Sequence, residues 1–202
     1  MSQLDMFPED FTYPPPKTPT VIAFCGAKGH GKDTAAKFLI DNYGFVPVSF
    51  ADGLRRTVAT ALRVNESWFL DPDKKEEIDP RTGKSRRYWL QWIGTEGFRS
   101  LWDQVWVNWW YEEIMARGYE RVVSTDMRFP NEYDAVYQYF PEATTIRITD
   151  PRKPTGNDNH ASEAHYKSFA VNYDIMNDSD IPALHLKMSK VARTLQLTEE
   201  II

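Results

Sequence analysis

Residues 21–34 read VIAFCGAKGHGKDT, and this stretch decides the fold. Val21 to Cys25 form an apolar run of strand length, and Gly26 to Lys32 match G-x-x-x-x-G-K. The continuation, DTAAKFLIDNYG, places Ala35, Phe38 and Leu39 on one helical face, with Gly44 placed to cap it. The order strand, glycine loop, helix is the context in which this motif holds phosphate. Gly26, Gly29 and Gly31 let the backbone curl around Lys28 and His30 until successive N–H groups point inward at phosphate oxygens. The helix amino terminus adds its partial positive charge at the same spot, and Lys32 bridges the outer phosphates. An ordinary glycine-rich turn with a solvated lysine does not explain the spacing.

Working outward, the unit repeats. Phe45 to Phe50 reads as a second strand, and behind Asp52 the residues Leu54, Val58, Ala61 and Leu62 recur at helical spacing. Asp71 to Arg87 is crowded with charge and carries Pro72, Pro80 and Gly83, the pattern of an exposed, mobile connection. From Trp89 to Arg117 the chain is helical and aromatic, with Trp102, Val105, Trp106, Trp109, Trp110 and Ile114 expected in the core. Arg121–Thr125, Thr144–Thr149 and Val171–Met176 supply further strands, NEYDAVYQYF another helix, and Pro182 to Leu197 the last one. Strands alternating with helices give a parallel sheet covered on both faces, with ligands beyond the strands' carboxyl ends. The expected architecture is α/β, a P-loop NTPase-type three-layer sandwich in one domain with one core, over residues 19–202. A proline-rich arm, residues 1–18, precedes it, with Pro14, Pro15 and Pro16 favouring an extended chain.

Composition bounds the partners. The 202 residues are 42% hydrophobic and 14% aromatic, enough for one well-buried core. Lys and Arg number 24 against 29 Asp and Glu, a net charge of −5, which argues against a nucleic acid as the main partner. Cys25 is the single cysteine, so neither an internal disulfide nor a cysteine-rich metal site is available. No apolar run approaches the roughly 18 residues that span a bilayer, and the amino terminus lacks a signal-peptide layout, so a soluble, cytoplasmic protein with no membrane partner is expected. The tryptophans leave a homodimer interface open.

Phosphoryl chemistry needs a metal ligand and convergent cations. The residue after Lys32 is Asp33 where Ser or Thr is usual, with Thr34 next. Asp33 either caps the helix or contacts Mg²⁺ through water, and Thr34 supplies the hydroxyl if the helix start is shifted. Asp126 ends the Arg121 strand, where a magnesium ligand, direct or through water, is wanted. Arg55, Arg56, Arg99, Arg128 and Arg152 sit near strand ends or the aromatic helix. Residues 150–163, DPRKPTGNDNHASE, form a polar loop placed to act as a lid, in which His160 and Glu163 read as hydrogen-bonding groups ahead of a zinc pair.

Taken together, GAKGHGKDT, SFADGLRR, LQWIGTEGFR, DQVWVNWW, STDMRFPNE, the loop ending HASE, and MNDSD resemble the phage-type deoxynucleoside monophosphate kinases, over about Val21 to Ala192. The resemblance implies ATP as phosphoryl donor, Mg²⁺ as cofactor, a small-molecule deoxynucleotide as acceptor, and host cytoplasm as location if the chain is phage-encoded. It implies that Gly29, Gly31, Lys32, Asp33 and Thr34 hold the ATP phosphates, with Asn177 near the adenine. Asp52, Gln91, Thr95, Glu96 and Arg99 would face the acceptor. Asp126, Arg128, Asn131 and Glu132 would line the catalytic cleft, and Arg152 would belong to the lid. Lys32, Asp126, Arg128 and Arg152 are then the catalytic candidates, and Arg55 joins the acceptor contacts. Two rivals stay open: a P-loop kinase acting on a modified base within DNA, and a nucleotide-binding protein that is not a kinase.

Overall fold

Strand β1 (Thr20–Cys25) runs through the middle of the molecule and is buried from Val21 onward. A computed structural model describes residues 18–71, 74, 76–153 and 165–199. Around β1 the remaining elements are α1 (Lys32–Tyr43), β2 (Val46–Pro47), α2 (Asp52–Leu62), a 3-10 turn (Glu66–Phe69), β3 (Ile78–Asp79), β4 (Lys84–Ser85) and α3 (Arg86–Gln91). Next come α4 (Val105–Arg117), β5 (Arg121–Ser124), α5 (Pro130–Tyr139), β6 (Thr144–Thr149), a second 3-10 turn (His165–Ser168), β7 (Tyr173–Met176) and α6 (Ile181–Thr194). The five-stranded sheet has the order β2-β5-β1-β6-β7, and every pair in it is parallel. The strands therefore finish at one edge.

The alternation of β1 divides the core. Val21, Ala23 and Cys25 face Trp110 and Ile114 of α4 and Val136 of α5. Ile22 and Phe24 face Ala35 and Leu39 of α1 and Leu184, Met188 and Val191 of α6. Side chains two apart on a strand share a face, so one apolar run serves two helical layers. The three-layer sandwich is the expected one. Burial pushes the Cys25 thiol up to about 11, which leaves it an inert core residue. A third, smaller cluster of Val58, Ala59 and Phe69 joins α2 to Trp89, Leu90 and Ile93, a satellite of the core that the apolar pattern does not announce.

Several expectations change in detail. The second strand pairs only over Val46–Pro47, and one further bond runs from the Val48 N–H to the Val123 carbonyl at 3.0 Å. Beyond it the Phe50 and Ala51 N–H groups turn to the Asp126 carboxylate at 3.1 and 3.0 Å, so the ladder stops. The fifth strand ends at Ser124 and the last begins at Tyr173. The charged stretch from Asp71, expected as an exposed connection, contains the antiparallel hairpin β3–β4, with Asp79 and Arg86 buried. Its closing turn is stitched by Arg81, which donates to both Asp79 oxygens.

The aromatic stretch is two helices. The first continues α3 as a π-helical segment, Trp92–Arg99, and the second is α4. Trp106 and Trp110 are core as expected, whereas Trp102, in the break between them, is 53% exposed. Trp110 donates its indole N–H to Ser124 Oγ at 3.0 Å and Ser124 donates to the Val48 carbonyl, which fixes α4 to the ends of β5 and β2. The proline-rich arm as far as residue 17, and residues 154–163 of the expected lid with His160 and Glu163, lie outside the described residues. Among the described residues no helix is long and apolar enough to cross a membrane.

Candidate active site

Beyond the end of β1 the chain turns through Gly26 at φ +136° and reaches α1 through Gly29 at +78° and Gly31 at +104°. Gly26 has no substitute: a Cβ there would lie 2.3 Å from the Ile148 carbonyl oxygen of the neighbouring strand β6. At Gly31 a Cβ would lie 2.5 Å from the Asn177 amide nitrogen. The loop is thus closed by absence of side chain at two contacts with its neighbours. Lys32 opens α1, is 7% exposed, and folds its amine back onto the Gly26 and Ala27 carbonyls at 2.8 and 2.9 Å. A lysine ammonium on a glycine loop at a helix amino terminus is the arrangement that suits phosphate oxygens. Asp33 is exposed and Thr34 half-buried on the first turn of α1, while Lys28 is exposed on the loop itself.

The loop is braced from the β6 and β7 side. His30 is buried, and its Nδ1 accepts the Asp150 N–H at 3.1 Å, so the ring proton belongs on Nε2. Asn177 donates to the His30 carbonyl at 3.0 Å, and Lys153 Nζ to the Gly29 carbonyl at 2.5 Å. Arg152 grips the Asp150 carboxylate at 2.9 and 3.0 Å and donates to the carbonyls of Ser179 and Asn177 at 2.8 and 3.1 Å. These bonds hold the Asp150 carboxyl down at about 2. Arg152 and Asn177 therefore sit with the phosphate loop, and both guanidinium ends are engaged in joining the two loops. Asp150 and Lys153 are the residues that sequence reading missed. No local signal marks them: both lie in the polar loop around Arg152, and only the fold brings them to the phosphate loop.

On the other side of β1, Asp126 follows β5, the strand paired with β1. Its two oxygens accept the Phe50 and Ala51 N–H groups, and burial raises its carboxyl above the usual range, opposed first by the nearby Arg55. Asp52 caps the turn into α2 by accepting the Ser49 N–H at 2.7 Å, and pairs with Arg55. Asp126, Asp52 and Arg55 thus form one group past the end of β5, the strand next to β1. Arg56 instead turns to the surface, over the Trp109 ring and towards Glu66 and Glu113.

A second group stands at the start of α5. Glu132 is 2% exposed; it takes Arg99 Nη2 on one oxygen at 2.5 Å and the Arg128 and Phe129 N–H groups on the other at 2.7 and 3.1 Å. Arg99 also reaches Asn131 Oδ1 at 3.3 Å and lies 4.1 Å over the Phe129 ring. Glu132 thus gathers Arg99, expected among the acceptor contacts with Gln91, Thr95 and Glu96, and the backbone of Arg128, expected in the cleft with Asn131 and Glu132 itself. Gln91, Thr95 and Glu96 are exposed on α3 and its π-helical continuation, outside this hydrogen-bonded group.

Thr34, Asp33 and Asp126 offer oxygen donors only, the set Mg²⁺ takes beside phosphate oxygens and water. Asp33 and Thr34 follow the phosphate loop at the end of β1 and Asp126 follows the adjacent strand, so the residues fit the ion. Among the described residues no three His, Cys, Asp or Glu side chains converge as a metal cage, so the phosphates would complete the coordination.

No family model matches the chain. A mimivirus protein (Acanthamoeba polyphaga mimivirus) named "Putative deoxynucleotide monophosphate kinase" is 32% identical over 170 residues, covering 77% of this chain and 86% of that one. Protein ORF77 of Ictalurid herpesvirus 1 (strain Auburn), which is uncharacterised, is 32% identical over 179 residues, covering 86% of this chain and 70% of that one. Among solved structures, TT1252 from Thermus thermophilus superposes with a TM-score of 0.53 at 18% identity, covering 90% of this chain and 100% of that one, and shares the fold.

Proposed function

The chain belongs to the deoxynucleotide monophosphate kinase family, and on that ground we propose that this kinase moves the γ-phosphoryl group of ATP onto a deoxynucleoside monophosphate with Mg²⁺. The observation that carries the reading is the edge shared by the Gly26–Lys32 loop and the Asp126–Glu132 turn, which follow the paired parallel strands β1 and β5. A donor site and a cationic acceptor site on adjacent strand ends are what in-line transfer between two phosphates requires.

In this reading the glycine loop and α1 amino terminus bind the ATP phosphates, and Lys32 moves from the loop carbonyls to the outer phosphate oxygens. Asn177, Arg152 and His30 keep the loop shaped for that cargo, and Arg152 stands at the root of the lid. Arg55, Arg99 and Arg128 neutralise the acceptor phosphate, with Asp52 and Asn131 orienting them. Gln91, Thr95 and Glu96 reach the acceptor from their exposed helix. Asp33, Thr34 and Asp126 would hold Mg²⁺, which draws charge from the transferring group when bound. An acceptor phosphate is already ionised, so Asp126 is assigned to the metal or its water and removes no proton. Arginines each paired to a carboxylate suit a small acceptor better than a polyanion, in keeping with the net charge of −5.

The test is an ADP-release assay with ATP, Mg²⁺ and each deoxynucleoside monophosphate, beside ribonucleotides and single-stranded DNA. Turnover with free monophosphates is expected. Turnover confined to DNA, or ADP release independent of any acceptor, would contradict the proposal.

A further inference from the structure

Glu132 stands at the third position of α5 and is spent entirely on the protein. Oε1 takes Arg99 and Oε2 takes two backbone N–H groups, three of about four acceptor positions, and at 2% exposure the residue presents almost no surface to a ligand. A carboxylate would also repel an anionic acceptor. What it does reach are three separate pieces of the acceptor side: the π-helical segment through Arg99, the turn after β5 through Arg128 and Phe129, and α5 itself. Arg99 is gripped from three directions, by Glu132, by Asn131 and by the face of Phe129, so its guanidinium has one orientation.

We infer that Glu132 is a positioning residue: it fixes the Arg99 guanidinium and the Arg128–Phe129 backbone for the acceptor nucleotide and touches no substrate atom. The kinetic side of this inference rests on the acceptor reading above. A buried carboxylate holds together only with its partners in place, and removing one member of such a pair leaves the other charge uncompensated. Burial pushes the Glu132 carboxyl up to about 7; Arg99 opposes the rise and Asp126 adds to it. Among the described residues Asp103 also lies 4.0 Å from Arg99, and Arg128 joins the cluster through its backbone N–H. Protonation as pH falls through neutrality removes the anionic partner of Arg99, so the acceptor site loosens on the acid side.

Glu132→Gln keeps the size of the side chain but turns an amide towards Arg99. The acceptor KM is expected to rise about tenfold or more, with the KM for ATP unchanged. The acid-side fall in wild-type kcat/KM for the acceptor is expected to shrink in E132Q to the part that the acceptor phosphate's own protonation, near about 6, causes. An unchanged acceptor KM with an unchanged pH profile, or an equal rise in both KM values, would overturn the inference. Amide hydrogen exchange decides it without any substrate. In Glu132→Ala the Arg128 and Phe129 amides are expected to exchange about tenfold faster or more, and equal rates would overturn it. Failure of the wild type to phosphorylate monophosphates would sink the proposed function, while the exchange rates would still decide the role of Glu132.

Discussion

The Asp150 N–H donates to His30 Nδ1 at 3.1 Å, joining the phosphate loop to a strand end 120 residues away. With the Asn177 amide on the His30 carbonyl, this makes the loop's shape depend on β6 and β7 as much as on its own glycines. His30→Ala is expected to raise the KM for ATP about tenfold, the cost of a lost buried hydrogen bond and its unpaired donor, with little effect on the acceptor KM. His30→Asn, whose Oδ1 can stand where Nδ1 stood, is expected to recover most of the loss. Equal ATP affinity in all three proteins would remove the brace from the account.

Lys32→Ala is expected to lower kcat about 1,000-fold while the far-UV circular dichroism spectrum stays that of the wild type. Retained turnover in the coupled assay would refute the assigned role of Lys32.

Gly53 lies under Trp109, and a Cβ there would sit 2.4 Å from the indole ring. Gly53→Ala is expected to cost about 1–3 kcal/mol by overpacking the α2–α4 contact, read as a lower thermal midpoint. Because α2 also carries Asp52 and Arg55, the acceptor KM should rise together with the loss of stability.

Arg152 holds the Asp150 carboxyl at about 2, from an ordinary value of 3.8. A depressed carboxyl favours the ionised form in the fold, so its contribution is present above about pH 4 and is lost as pH falls through about 2. Arg152→Ala is expected to start acid unfolding at a higher pH than the wild type. The gap between the two thermal midpoints should narrow as pH falls from about 4 to 2, leaving only the part due to the lost bonds to Asn177 and Ser179. Parallel midpoint curves across that range would contradict this.

The strand, loop and helix from Val21 to Tyr43 were legible because local signals agree: an apolar run, glycines at fixed spacing, then a helical face. The strand before Asp126 was legible from its apolar Val122 and Val123, although it stops at Ser124. The second strand was misjudged because Phe45 to Phe50 is apolar enough to be a strand, yet its last N–H groups go to Asp126, 75 and 76 residues away. Charge density hid the β3–β4 hairpin, whose Asp79 and Arg86 are buried through partners that no periodicity shows. Lys153 and Asp150 escaped notice because a lysine or aspartate in a polar loop has no signature of its own. Only the folded chain brings Lys153 to the Gly29 carbonyl. Local periodicity specifies elements, whereas hydrogen bonds between distant strand ends specify the site.

The central claim is transfer of phosphate between two nucleotides, and following the label tests it most directly. With γ-labelled ATP, Mg²⁺ and an equimolar mixture of deoxynucleoside monophosphates, the label is expected on the β-phosphate of one or more deoxynucleoside diphosphates, and to be lost with K32A. Label recovered only as inorganic phosphate, or only on polymeric DNA, would contradict it.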